Sequence, residues 1–255
     1  MAVGGRLAVD AGDALRLYDD ATGKLLGEWS GPPFDQYREF ICTDLSMDAA
    51  GRRVAFGNES PLGWKEAEGG RAWVVTFGRV PEVKEFPVLQ RAGVWAVLSA
   101  DGQTLVTGGT QPRTIPGVVD DSPRVLQVWD VETGKERRQI RAPGTWSHGA
   151  VLFPDRRRIL LLGKYEVWDY ESGKRVCALR NVPLTSRPDA EGWRVSADGR
   201  EVYGITWEGV VGAWNAESGE QVRDYAPPPP RFPRNYRSRV MRSAWVPIAR
   251  DGSWG

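Results

Sequence analysis

VWDVETGK, residues 128–135, returns as VWDYESGK at 167–174 and AWNAESGE at 213–220, with a looser relative, LYDDATGK, at 17–24. In each phrase a β-rich run ends in an aromatic residue and enters a tight turn. The glycine of that turn (Gly134, Gly173, Gly219, Gly23) can take the left-handed backbone conformation that closes a hairpin. A second strand begins at the Lys or Glu that follows. Internal repetition of this kind sets the fold class before any single residue does.

A second phrase repeats out of phase with the first: SADGQTLVTGG at 99–109, SADGREVYGIT at 196–206 and DAAGRRVAFGN at 48–58. Asp-Gly ahead of a β-rich run is a hairpin signal. The turn glycine serves as a ruler, falling at Gly5, Gly51, Gly102, Gly199 and Gly252, with Arg156 of FPDRRRILLLG in the glycine's place once. The spacing runs from 43 to 54 residues.

Together the two phrases predict four short strands per repeat, a to d, in the order a, Asp-Gly turn, b, loop, c, Gly turn, d. Strand b is expected at 7–9, 54–56, 105–107, 159–162 and 202–205, and strand c at 14–18, 72–77, 125–129, 165–168 and 210–214. Strand d follows near Leu25, Lys84, Glu136, Arg175 and Gln221, and strand a lies near Cys42, Trp95, Ala150, Trp193 and Trp245. Such a period with antiparallel strands is the signature of a β-propeller, here of five four-stranded blades in one domain spanning 1–255. Trp129, Trp168 and Trp214, with Tyr18 and Phe77 at matching positions, read as wedges packed between blades. The C-terminal MRSAWVPIARDG is expected to supply strand a to the N-terminal strands b, c and d. That closure would pair the open edges and give a monomeric ring.

Trp129-Asp130, Trp168-Asp169, the Ser-x-Asp-Gly turns and the strand order resemble the WD-repeat family over nearly the whole chain. The resemblance implies a propeller that serves as an interaction platform. Two family features are missing: a Gly-His dipeptide before strand a and an Asp on the b–c turn. The one histidine, His148, is followed by glycine rather than preceded by it. The family usually has seven blades rather than five.

Composition narrows the function classes. The chain has 34 basic and 33 acidic side chains, so no global field draws it to nucleic acid or anionic lipid. Cys42 and Cys177 are far apart and lack flanking ligands, which reads as two free thiols in a reducing, cytoplasmic setting. The N-terminal stretch lacks the basic-then-apolar pattern of a leader, and no segment has the ~18 apolar residues of a membrane span. Asn58-Glu59-Ser60 matches a glycosylation sequon, a pattern short enough to arise by chance.

Loop lengths point to one face. The a–b and c–d turns are minimal, whereas insertions fall in b–c connections (57–71, 108–124) and d–a connections (30–38, 180–190, 226–239). Long loops on a rigid scaffold concentrate binding residues. The last insertion opens with Pro227–Pro230, a polyproline II rod, and continues with Arg231, Phe232, Arg234, Tyr236, Arg237, Arg239 and Arg242. Arginines interleaved with aromatics suit an acidic peptide, or nucleic acid through charge and stacking, and the rod itself suits a proline-binding module; a stiff spacer with solvated arginines is the bland alternative. Phe34, Tyr37 and Trp64, beside Arg38, Lys65, Arg113 and Arg187, complete the candidate contacts, Trp, Tyr and Arg being the usual interface anchors.

Catalytic constellations are missing from the sequence: one histidine, no paired thiols, no G-x-S-x-G elbow and no phosphate-cradling loop. The doublets Gly4-Gly5, Gly69-Gly70 and Gly108-Gly109 read as turns, and no cofactor or metal is implied. Two alternatives to a protein-binding platform remain. Glycoside hydrolysis would use channel carboxylates, for which Asp44, Asp48 and Glu191 are the strand-a candidates. Lectin-like sugar binding would use exposed members of the 12 tryptophans.

Overall fold

The computed structural model describes residues 2–31, 41–42, 45–59, 71–89, 94–109, 125–141, 149–155, 157–183, 192–205 and 210–225. Among them every regular element is a β-strand, and the strands form five antiparallel sheets in chain order. Sheet 1 contains β1 (Ala2–Val3), β2 (Arg6–Asp10), β3 (Leu15–Asp19) and β4 (Leu25–Trp29). In sheet 2, β5 (Ile41–Cys42) and β6 (Ser46–Met47) share the strand-a place against β7 (Arg53–Glu59), followed by β8 (Arg71–Thr76) and β9 (Glu82–Pro87).

Sheet 3 is β10 (Val94–Leu98), β11 (Thr104–Gly109), β12 (Val125–Asp130) and β13 (Glu136–Arg141). Sheet 4 is β14 (Ala150–Leu152), β15 (Arg158–Leu161), β16 (Glu166–Asp169) and β17 (Lys174–Ala178). Sheet 5 is β18 (Trp193–Val195), β19 (Glu201–Ile205), β20 (Val211–Asn215) and β21 (Gln221–Tyr225). The repeat thus produces the strand order a-b-c-d five times, as the two phrases predict.

The phrase at the c–d turn works by side-chain capping. Asp130 Oδ1 accepts the Thr133 N–H at 2.8 Å and the Thr133 hydroxyl at 2.9 Å, and the Gly134 N–H donates to the Asp130 carbonyl at 2.9 Å. Asp19 and Thr22 repeat this geometry, and Asp169 with Ser172 and Asn215 with Ser218 repeat its backbone half. Each glycine has φ near +70°, where a side chain would be strained. In sheets 1, 3, 4 and 5 the register slips by one residue at the aromatic that ends strand c, a β-bulge that increases the twist into the turn.

Apolar residues then join the sheets in sequence. One cluster joins Leu15 and Leu17 to Phe56 and Trp73, and a second joins Val74 and Phe86 to Leu105 and Trp129. A third joins Val106 and Leu126 to Ile159 and Trp168, and a fourth joins Leu160 and Cys177 to Val202 and Trp214. Each sheet is therefore apolar on both faces where it lies between two others. Phe77, Trp129, Trp168 and Trp214 all face the preceding sheet from the end of strand c and are buried, as wedges between sheets should be.

Two details depart from the sequence reading. Gly108 and Gly109 are not a turn but the end of β11, where Gly108 sits opposite Trp95 and leaves room for the indole. The edge of β2, expected to receive a C-terminal strand, is held over two residue pairs by Ala2–Val3 (Ala2 with Leu7, Val3 with Arg6). The C-terminal segment expected to close the ring, which includes Trp245, lies outside the described residues. No apolar cluster among the described residues joins sheet 5 to sheet 1.

Candidate functional site

Strand alternation sends all b–c and d–a connections to one side of each sheet and all a–b and c–d turns to the other. On the turn side, side chains are occupied in holding the turns. The Ser99 hydroxyl donates to Asp101 Oδ1 at 2.6 Å while Ser99 Oγ accepts the Thr104 N–H at 2.9 Å, and Ser196 with Asp198 and Glu201 repeats the pattern. These bonds stabilise the charged carboxylate. The Ser196 hydroxyl holds Asp198 below its ordinary pKa, and the Thr133 N–H and hydroxyl do the same to Asp130.

Arginines extend this system across sheet boundaries. Arg53 Nη1 donates to the Gly102 carbonyl at 2.7 Å, and Arg158 Nη2 donates to the Gly199 carbonyl at 2.9 Å. Both arginines open strand b and reach the a–b turn of the next sheet, and the Arg6 side chain lies against Gly51 in the same way. The sequence reading missed these arginines. The signal was present, since an Arg stands one or two residues after the turn-glycine position in four repeats (Arg6, Arg52 and Arg53, Arg157 and Arg158, Arg200). Lys84 Nζ adds a bond from strand d of sheet 2 to the Val131 carbonyl at 2.8 Å.

Between the turn ends of sheets 2 and 3 lies a polar cleft of about 460 Å³, lined by Asp48, Arg52, Arg53, Asp101, Asp130 and Glu132 among others. Its acids already have partners. Asp48 Oδ1 accepts the N–H groups of Arg52 and Arg53 at 2.7 and 3.0 Å, so this buried carboxylate caps a turn. Asp48 is the one described member of the three carboxylates considered for glycoside hydrolysis, Asp44 and Glu191 lying outside the described residues. Among the described residues no three His, Cys, Asp or Glu side chains gather as metal ligands.

The opposite side carries the long connections. Every residue singled out there from sequence, namely Phe34, Tyr37, Arg38, Trp64, Lys65, Arg113, Arg187, Arg231, Phe232, Arg234 and Tyr236, lies outside the described residues, as does His148. Their stems are described: Glu59 and Arg71 flank the 60–70 connection, and Gly109 and Val125 flank 110–124. At the first stem Arg71 Nη1 pairs with Glu85 Oε1 at 2.6 Å.

The described tryptophans belong to the core. Trp73, Trp95, Trp129, Trp168, Trp193 and Trp214 are buried, and Trp29 packs against the cluster of sheets 1 and 2. Cys177 is a buried free thiol whose burial raises its pKa. No helix among the described residues is long and apolar enough to cross a membrane. No protein-family model matches the chain, and no curated protein sequence matches it.

Proposed function

We propose that this chain is a non-enzymatic, propeller-type scaffold, similar to WD-repeat proteins, that docks a protein or peptide partner on the face carrying its b–c and d–a connections. The observation that carries the reading is the asymmetry between the two sides. Described carboxylates on the turn side, Asp48, Asp101, Asp130 and Asp198, are engaged in local hydrogen bonds, which suits a rigid frame. All long connections, with their exposed-type aromatics and arginines, leave from the other side. Aromatic anchors would supply affinity, and Arg231, Arg234 and Arg237 would select acidic groups.

The test is capture of a partner from an extract of the source, followed by the same capture with Arg231, Arg234 and Arg237 all changed to Ser. Loss of capture in the triple variant, with binding to the parent chain weakening as salt rises, is the expected result. Unaltered capture by the triple variant would reduce the 226–239 segment to a spacer and remove the arginine contacts from the reading.

A further inference from the structure

Two a–b turns place a carboxylate under the same pair of backbone N–H groups and then treat its second oxygen differently. In sheet 4, Asp155 Oδ1 accepts the N–H groups of Arg157 and Arg158, each at 3.0 Å, and Asp155 Oδ2 accepts the Nε–H of Arg158. That guanidinium also reaches the Gly199 carbonyl through Nη2. In sheet 2 the carboxylate comes from another place in the turn. Asp48 stands where sheets 3 and 5 have Ser99 and Ser196, and Ala50 stands where sheets 3, 4 and 5 have Asp101, Asp155 and Asp198. Asp48 Oδ1 accepts the equivalent N–H groups, those of Arg52 and Arg53. Arg53, the counterpart of Arg158, carries its guanidinium past Asp48 to the Gly102 carbonyl and to Glu132 Oε2. Among the described residues, Asp48 Oδ2 takes no hydrogen bond.

This oxygen belongs to a residue only 5% exposed, and it points across the sheet boundary toward Gly102, where a Cβ would come within 3.1 Å of it. It lines the polar cleft of about 460 Å³ between sheets 2 and 3, as does Ala50 in the place that holds Asp in the later turns. Four carboxylates of the lining, Asp48, Asp101, Asp130 and Glu132, face two guanidiniums, Arg52 and Arg53, which leaves the cleft net negative. Arg53 is committed to the Gly102 carbonyl, and the exposed Arg52 makes no hydrogen bond through its guanidinium among the described residues. A nearly buried carboxylate oxygen without a donor carries a desolvation cost. Water can solvate it, but a cationic donor would also offset the charge of the lining.

We propose that this cleft binds a guanidinium group, with Asp48 Oδ2 as the buried acceptor and Glu132 as a second acceptor at the rim. Sheet 4 contains the pairing in the same chain: there a guanidinium fills the second oxygen of the turn carboxylate and bridges to the next turn. The planar fork of a guanidinium matches a carboxylate and leaves further N–H groups for a second acceptor, whereas an ammonium is a compact point charge. The cleft has the size of a small-ligand site, so it admits either a small free guanidine or the arginine side chain of a peptide. It lies on the turn side and does not rest on the loop-face reading.

Two probes test this by NMR of the isotope-labelled protein at low salt: ethylguanidinium for a free ligand, and a capped Gly-Arg-Gly peptide for a chain-borne arginine. Saturable movement of the Arg52, Arg53 and Gly102 amide signals is the expected result. Movement with ethylguanidinium alone assigns a small free ligand, and movement with the peptide assigns an arginine side chain. Asp48→Asn keeps an oxygen for the two turn N–H groups but loses the charge, and it should weaken binding about tenfold, the factor carried by one charge-assisted hydrogen bond. Glu132→Gln changes an exposed side chain at the rim and should weaken binding about threefold. This second variant carries the test if Asp48→Asn does not fold. Unchanged affinity in the folded variants would overturn the proposal. So would signals that fail to saturate with either probe, or that sodium chloride moves equally at matched ionic strength.

Discussion

Arg53 crosses from sheet 2 to sheet 3 to place its Nη1 2.7 Å from the carbonyl oxygen of Gly102. The acceptor sits in an a–b turn whose glycine has φ of +71°, and a Cβ on that glycine would come 2.9 Å from Arg53 Cδ. One glycine therefore supplies both the turn conformation and the space through which the guanidinium passes.

From this it follows that Arg53→Ala should lower stability by about 1 kcal/mol, the usual net worth of one hydrogen bond, since the side chain is part-exposed. Arg158→Ala should behave alike through Gly199. Urea unfolding checks this: the midpoint should fall with an unchanged slope, because the folded state keeps its compactness. A midpoint that does not move would show that water replaces the guanidinium at no loss.

Tryptophans on strand a use glycine differently. Trp193 pairs across the strand with Gly204, and a Cβ there would lie 2.5 Å from its Cη2 and Cζ3. Trp95 and Gly108 repeat the arrangement. Gly204→Ala and Gly108→Ala should each destabilise by about 1–3 kcal/mol through overpacking of rigid indoles. Gly12→Ala makes a useful control: its space is open but its φ is +81°, so it reports backbone strain without a clash. If the strand glycines tolerate alanine better than Gly12 does, the indoles have room to shift.

These glycines mark where the sequence was legible and where it was not. Turn glycines are readable because they stand beside Asp, Asn, Ser or Thr, whose side chains cap the turn within a few residues. Gly108 and Gly204 have their cause on the neighbouring strand, at Trp95 and Trp193, so Gly108-Gly109 looked like one more turn. Strand order and the wedge role of Trp129, Trp168 and Trp214 were legible because each depends on a local phrase and on alternation. The strand expected to close the ring lies outside the described residues, and Ala2–Val3 pairs with the first two residues of the β2 edge. The loop-face residues depend on neither phrase nor pairing, and they remain a proposal.

Acid should weaken the fold through its turn caps. Hydrogen bonds from the Thr133 N–H and hydroxyl hold Asp130 below its ordinary pKa, and the Thr22 hydroxyl and N–H do so for Asp19. A carboxylate whose folded pKa is depressed stabilises the fold above its unfolded value of about 4. That contribution is lost as pH falls through the lower, folded value. Stability should therefore drop below about pH 4. In Thr133→Val the Asp130 carboxyl, followed by NMR, should titrate closer to its ordinary value. An unmoved Asp130 titration would assign the depression to the backbone N–H together with the nearby Arg137 and Lys84 charges.

Cys177 offers a direct probe of the boundary between sheets 4 and 5. Its Sγ lies 3.4 Å from the Ala216 carbonyl, inside the cluster that contains Trp193 and Trp214, and burial raises its pKa. Thiolate, not thiol, attacks a disulfide reagent, so both exclusion and the raised pKa slow the reaction. In a Cys42→Ser background, Cys177 should react with an aromatic disulfide reagent far more slowly in the folded protein than in urea. Raising the pH modestly should not remove the difference, because access requires the two sheets to part. Trp214→Ala, which removes the wedge beside the thiol, should speed labelling under native conditions more than it speeds labelling in urea. Equal rates for folded and unfolded protein would mean that sheet 5 does not stay packed on sheet 4.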